Sequence, residues 1–262
     1  MSQKKVWLTW IGPEEGAISP QGIGQKLAQM GLQVVGHPWI DNMPQMGWQQ
    51  LATLLQEKDS ADVWFIASRQ QDWQSNNIRY GVSLVAAMVK EAREFHLPIV
   101  FLGLDFQPQP QDFPTLLKDC SPLNEQDTTW PAKTVAKAFS HNAQKPSYRL
   151  NLRAHPQLGQ WFEVGPRAEI WQGVMFGVAS PAKITHHGVG KKGQVPERTV
   201  VEYALENMTA QIGDTDFNAW SVQNQINAED SYYLRVEGYP QKIIFGNHPG
   251  TDQEEVYVLQ LC

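Results

Sequence analysis

The most chemically varied part of this 262-residue chain is a polar loop that directly follows the apolar segment Asp62–Ala67. The loop holds Ser68, Arg69, Asp72 and Trp73, which supply a hydroxyl, a cation, a carboxylate and a stacking surface. A nucleotide could use all four groups, since it combines charged, hydroxyl and flat aromatic parts. The alternative is a structural role, in which Trp73 packs on the following helix and Asp72 caps a turn.

Strand-like and helix-like segments alternate around this loop. Short apolar runs predict strands at Lys5–Trp10, Leu32–Val35, Asp62–Ala67 and Pro98–Leu104. Apolar residues at helical spacing predict helices around Ile23–Met30, Trp48–Leu55 and Val82–Phe95, and a weaker pattern predicts one at Pro131–Phe139. The strands are apolar enough to be covered on both faces. We therefore predict that they lie side by side in one parallel sheet of an α/β domain, with helices on both faces.

Carboxylates follow every predicted strand, at the edge of the sheet where ligands of parallel sheets gather. They are Glu14 and Glu15 after the first strand, Asp41 after the second, Asp72 after the third and Asp105 after the fourth. Each one alone is better explained as a solvated loop charge. Asp72 is the most interesting, because its neighbours Ser68, Arg69 and Trp73 could bind the same ligand.

The loops after the first and third strands open on the same edge of the predicted sheet, where aromatic planes could stack a base. The predicted ligand-binding residues are Trp10, Gly12, Ser68, Asp72, Trp73 and Tyr80. We expect them to bind a nucleotide-like small molecule, and the sequence specifies no cofactor.

The first half also resembles a Toll/interleukin-receptor (TIR) domain. The matching segments are a Gly- and Trp-bearing loop after the first strand, LAQMGLQVVGHPWIDNMPQMGWQQLATLL, the third strand with ASRQQDWQSNN, and REFHLPIVFLGLD. The resemblance implies a flavodoxin-like fold and a role as an interaction module. A plain flavodoxin-like domain or a nucleoside-deoxyribosyltransferase-like domain would produce the same alternation of elements.

A subset of TIR domains cleaves NAD with a glutamate near the start of the helix after the third strand. Counting the family's spacing from Ser75 places Tyr80 at that position, followed by Gly81. A phenol with a pKa near 10 cannot replace a carboxylate that stabilises positive charge on a ribose. We therefore assign no catalytic residue, and we do not expect glycosidic cleavage of the family's kind.

The second half has a different pattern, in which short runs rich in Val, Ile, Tyr, Phe and Trp are separated by Gly, Pro, Asn and Asp. The predicted strands are Gly159–Val164, Ile170–Val178, Thr199–Glu206, Ala219–Gln225, Tyr232–Val236, Lys242–Phe245 and Glu255–Leu261. They indicate an all-β sandwich or barrel. We predict two domains, at 1–141 and 147–262, joined by the polar linker His141–Ser147.

Two further motifs could hold ligands. Gly22 and Gly24 precede a predicted helix, but the spacing of a dinucleotide-binding loop fails because Leu27 occupies its last glycine position. The segment Thr185–Gly193 contains His186 and His187, which His248 and Asp252 could join. Neighbouring residues of a strand point to opposite faces, so a solvated loop is the better interpretation, and we predict no metal site.

Composition narrows the class of function. A formal charge of -6 and an isoelectric point near 5.6 provide no basic surface for nucleic acid. We also expect no membrane segment, a cytoplasmic location and reduced structural thiols at Cys120 and Cys262. The leading hypothesis is a TIR-like signalling or defence-type interaction protein that self-associates or binds a protein partner and binds a nucleotide without cleaving it. The alternative is a glycohydrolase or transferase that acts on NAD or a nucleoside with a non-standard acid.

Overall fold

The computed structural model describes residues 3–14, 18–140, 144–198, 200–248 and 255–262. The chain divides into two compact units, residues 1–144 and 145–262. The division falls inside the predicted linker, of which residues 141–143 lie outside the described part. In the described part of the chain, no helix is long and apolar enough to cross a membrane.

The first unit contains a five-stranded sheet in which every pairing is parallel. Its strands are β1 (Lys5–Ile11), β2 (Gln33–Pro38), β3 (Val63–Ser68), β4 (Ile99–Gly103) and β5 (Ser121–Asn124), in the order β2-β1-β3-β4-β5. The predicted parallel arrangement of the first four strands is confirmed. The prediction missed β5, because the sequence SPLN has no apolar run and a proline that only an edge position tolerates well.

Helices accompany this sheet at α1 (Pro20–Gln29), α2 (Trp48–Gln56), α3 (Gln70–Trp73), α4 (Asn76–Ala92) and α5 (Trp130–Ala138). Side chains of α1 and α5 pack in one apolar core with Val6, Leu8 and Trp10 of β1. Alternate residues of each strand point to the opposite face. All six residues of β3 are buried, so both faces of the sheet are covered at its centre.

One helix boundary differs from the prediction in a way that matters for function. The helix predicted to begin at Val82 begins at Asn76, so Tyr80 lies inside α4 and is buried. The series Ile78, Val82, Val85 and Val89 already has helical spacing and would have given the earlier start.

The second unit consists of two antiparallel sheets. Its strands are β6 (Tyr148–His155), β7 (Gly159–Pro166), β8 (Trp171–Ala179), β9 (Lys183–Lys191), β10 (Leu205–Ile212), β11 (Thr215–Ile226), β12 (Asp230–Glu237), β13 (Lys242–Asn247) and β14 (Val256–Gln260). One sheet has the order β6-β7-β12-β9 and the other β10-β11-β8-β13-β14. The rings of Phe162 and Phe176, one from each sheet, lie 5.5 Å apart in the core between them.

Three elements of this unit differ from the sequence prediction. The strands β6 and β9 were not predicted, and β9 replaces the solvated loop expected around His186 and His187. Glycines and histidines make its sequence, KITHHGVGK, a poor match to strand propensity, and pairing with β12 decides the outcome. The strand predicted at Thr199–Glu206 lies further along the chain, at Leu205–Ile212, and Thr199 lies outside the described residues.

The division into two units predicts the result of limited proteolysis. We expect the first cut within residues 141–147 and two fragments that stay folded, because each unit has a buried core of its own. Mass spectrometry would locate the cut, and circular dichroism of the separated fragments would test whether each melts cooperatively. Aggregated or unfolded fragments would mean that the two units do not fold independently.

Candidate functional site

The strand order creates a crevice at the carboxyl edge of the parallel sheet. In this order β2 lies on one side of β1 and β3 lies on the other. After β1 the chain therefore forms β2 on one side and then crosses to the opposite side of β1 to form β3. The loops after β1 and β3 therefore diverge, and ligands of open α/β sheets bind at this kind of switch point. Gly12 follows β1 and Asp72 follows β3 at this position.

Gly12 and Asp72 are in close contact. Gly12 has a φ of +101°, a backbone conformation that side chains other than glycine rarely adopt. A Cβ atom built on Gly12 would lie 2.2 Å from Oδ2 of Asp72. Only glycine at position 12 allows the carboxylate to lie against the backbone of the first loop.

The Asp72 carboxyl is held in an environment that disfavours its charge. The side chain is half-buried, and Oδ2 is enclosed without a hydrogen-bond partner among the described residues. Burial raises the pKa of Asp72 above its usual range, and the neighbouring charge of Asp105 acts in the same direction, while Arg69 opposes them. The result is a carboxyl that would gain from a hydrogen-bond donor or a cation on a ligand.

A short helix fixes the position of this carboxyl. The backbone N–H of Gln70, in α3, donates a 2.8 Å hydrogen bond to Oδ1 of Asp105. The N–H of Leu104 donates to the carbonyl of Ser68 at 3.0 Å. The loop after β3 is thereby fastened to the end of β4, so Arg69, Asp72 and Asp105 belong to one group of charges.

The aromatic residues predicted at this site lie inside the fold. Trp73 is 3% exposed, and its ring centroid lies 4.6 Å from that of Phe101 and 5.9 Å from that of Phe113. This is the packing role that the sequence left open as the alternative. Tyr80 is 1% exposed, and the hydroxyl of Ser68 is directed to the carbonyl of Arg69. None of these side chains presents an open surface to a ligand.

Trp10 is separated from Trp73 by the sheet itself. It packs in the core beneath α1 and α5, to which Val100 and Leu102 of β4 also contribute, whereas Trp73 packs on Phe101, which points to the other face. The structure therefore does not bring the two rings into one pocket. Trp10 instead borders a cavity of about 340 Å³ beside β2, which Glu14 and His37 also line.

The remaining predicted carboxylates are dispersed along the edge. Glu14 and Asp41 are exposed, and Glu15 lies outside the described residues. Among the six predicted ligand-binding residues, the structure brings together Gly12 and Asp72, with Arg69 and Asp105 as their charged neighbours. The positions of Gly12 directly after β1 and of Asp72 within four residues of the end of β3 were a usable sequence signal for this contact.

The other candidate motifs do not form sites. Gly22 and Gly24 lie within α1, where the hydroxyl of Ser19 accepts the N–H of Gly22 at 3.1 Å as a helix cap. His186 is exposed, whereas His187 points between the sheets, where burial lowers its pKa and the Tyr232 hydroxyl lies 2.7 Å from Nδ1. Asp252 lies outside the described residues. Within the described ranges, no group of three His, Cys, Asp or Glu side chains could hold a metal ion.

Comparison with known proteins assigns no family. No protein-family model matches the chain, and no curated protein is significantly similar to it. A functional assignment therefore depends on the geometry of the Gly12 and Asp72 contact and on the resemblance carried by the sequence.

The contact between Gly12 and Asp72 predicts that adding a methyl group at position 12 lowers the free energy of unfolding by an unusual amount. Gly12→Ala should destabilise the protein by about 1–2 kcal/mol through backbone strain and by about 1–3 kcal/mol more through the clash with Asp72. Gly31→Ala is the matched control, because Gly31 also has a positive φ but no atom within 4 Å of an added Cβ. Chemical denaturation measures both, and Asp72→Ala should remove the clash component in the Gly12→Ala background. A cost equal to that of Gly31→Ala would contradict the contact.

The raised pKa of Asp72 predicts a pH-dependent stability difference. The fold disfavours the ionised carboxyl, so its contribution to stability falls as the pH rises above the unfolded value of about 3.9. Asp72→Asn should therefore raise Tm at pH 7, and the difference should shrink as the pH falls from 7 toward that value. Thermal melts across this range test the sign, and a lower Tm for Asp72→Asn at pH 7 would contradict it.

Proposed function

We propose that the first unit binds a nucleotide-like ligand at the crevice between the loops after β1 and β3. The observation that carries this proposal is Oδ2 of Asp72, which lies at the switch point of the sheet, enclosed without a hydrogen-bond partner in the described chain. A carboxylate in such a crevice can accept hydrogen bonds from ribose hydroxyls. Arg69, in the same loop, supplies a cation suited to a phosphate.

The ligand contacts in this proposal differ from those predicted from the sequence. Stacking on Trp73 or Tyr80 is not part of it, because both rings are buried. Truncation of Trp73 would remove a core side chain, so Trp73→Ala would report on stability more than on binding. The polar groups of the loop, and the backbone at Gly12, remain to contact a ligand.

The biological setting that we propose is a signalling or defence-type interaction protein. The TIR-like pattern of the first half supports this role by analogy, and the strand order β2-β1-β3-β4-β5 is the flavodoxin-like order that this pattern implies. Ligand binding at the switch point would then bias self-association or the binding of a protein partner.

Calorimetry with NAD, ATP and cyclic nucleotides tests the proposal. We expect one of these ligands to bind the wild type and Asp72→Asn to weaken that binding by about tenfold or more, because hydrogen bonds to a charged group are lost. Asp41→Asn is the matched control, since Asp41 is an exposed aspartate that follows the neighbouring strand β2. Equal affinities for the wild type and Asp72→Asn, or no binding of any of them, would contradict the proposal.

One observation favours a second function, the cleavage of a nucleoside. Burial raises the pKa of Asp72, which favours the protonated carboxyl that a general acid needs in order to protonate a leaving base. Water would add to the ribose carbon as the bond to the base breaks, and its proton would return to Asp72. Chromatography after incubation with NAD or nucleosides would detect free nicotinamide or base, and turnover lost in Asp72→Asn but kept in Asp41→Asn would favour this function.

A further inference from the structure

A row of four side chains crosses the outer face of the sheet β6-β7-β12-β9 in the second unit. Arg153 pairs with Trp161, Trp161 with Arg235, and Arg235 with His186, so each is the direct neighbour of the next across the strands. We call these four residues the cross-strand row. The adjacent residues Leu152, Phe162 and Leu234 are fully buried in the core, and alternation along each strand therefore directs the row outward.

The cross-strand row forms the floor of a cavity of about 380 Å³. The turn between β6 and β7 contributes His155 and Leu158 to one wall, and Val195 lies on another. Leu158 is 65% exposed, so it offers an apolar contact surface beside the cavity. The volume falls within the range of about 300–1,000 Å³ that small-molecule sites occupy.

The two guanidinium groups keep most of their capacity to bind an anion. The carboxylate nearest to Arg235 is that of Glu237, and Oε1 lies 3.9 Å from Nη2, which is too far for a strong ion pair. Nε of Arg235 is enclosed without a hydrogen-bond partner among the described residues. Arg153 donates one hydrogen bond, of 2.7 Å, to the carbonyl of Gly193. Two permanent positive charges thus flank Trp161 with little neutralisation.

The backbone holds Arg235 in place at this cavity. Gly159 has a φ of +79°, and a Cβ atom built on it would lie 3.0 Å from Nε of Arg235. The absence of a side chain at position 159 therefore lets the guanidinium lie across the start of β7. Arg235 is also the direct cross-strand neighbour of Trp161.

We propose that this cavity binds a nucleoside monophosphate or a ligand of the same chemistry, a flat aromatic ring that carries an anionic group. The ring stacks on the partly exposed indole of Trp161, and the phosphate accepts hydrogen bonds from Arg153 and Arg235. A purely apolar ligand would leave both guanidinium groups unpaired, and a purely anionic one would leave the indole uncovered. The site is separate from the one at Asp72, and each can fail without the other.

Titration of the full-length protein with AMP, followed by calorimetry, tests this site. We expect Trp161→Ala to weaken binding by about tenfold. We expect Arg153→Gln and Arg235→Gln each to weaken it by about tenfold or more. Adenosine and inorganic phosphate, which each carry half of the proposed chemistry, should bind more weakly than AMP. Affinity should also fall as the salt concentration rises.

Control variants separate this site from the others. Lys183→Gln removes an exposed cation from the same sheet outside the cavity and should leave AMP binding unchanged. Trp161→Phe keeps a ring and should retain most of the affinity, and circular dichroism confirms that each variant is folded. Wild-type affinity in Trp161→Ala and Arg235→Gln would overturn the proposal, as would the absence of AMP binding. Loss of AMP binding in Asp72→Asn alone would assign the ligand to the first unit and overturn it as well.

Discussion

The complete burial of β3 is the constraint on which the first unit depends. All six of its residues, VWFIAS, are buried, so helices must cover both faces of the sheet at this strand. No side chain of β3 is left in solvent, and charged groups appear only beyond its end. The change from β3 to the loop 69–72 therefore concentrates charge at one edge of the sheet. The short helix α3 and its bond to Asp105 keep that charge in a fixed place.

The sequence predicted the parts of the fold that depend on burial. The runs at β1, β3 and β4 were recognisable as strands because most of their residues are apolar and buried, whereas β2, at the sheet edge with no fully buried residue, was recognisable from its short apolar run alone. Elements held by pairing alone were missed: β5 has a proline and no apolar run, and β9 contains two adjacent histidines. Their hydrogen bonds come from neighbouring strands, and such long-range partners leave little trace in local composition.

The sequence also predicted part of the candidate site at the switch point, again because a buried strand was recognisable. The position of Asp72 after a buried strand marked it among the carboxylates. Its contact with Gly12 depends on the path of two loops that are far apart in the sequence, and only the three-dimensional structure shows it. For Trp73, the prediction of a ligand-binding role was wrong. An aromatic residue in a polar loop was interpreted as a ligand surface, whereas its burial against Phe101 and Phe113 stabilises the core.

Net charge was a poor guide to local electrostatics. The chain is acidic overall, yet Arg153 and Arg235 lie near one indole because β6 and β12 both pair with β7. No cluster of basic residues in the linear sequence predicts that these two arginines lie near one indole. It arises from strand register, which places residues from distant parts of the chain in one row.

That dependence on register has a consequence for folding. A slip of one residue in any of the four strands would turn its member of the cross-strand row toward the core and a core side chain toward solvent. The row is therefore complete only when all four strands are correctly aligned. A molecule that binds to it would stabilise correctly aligned chains relative to misaligned ones by mass action.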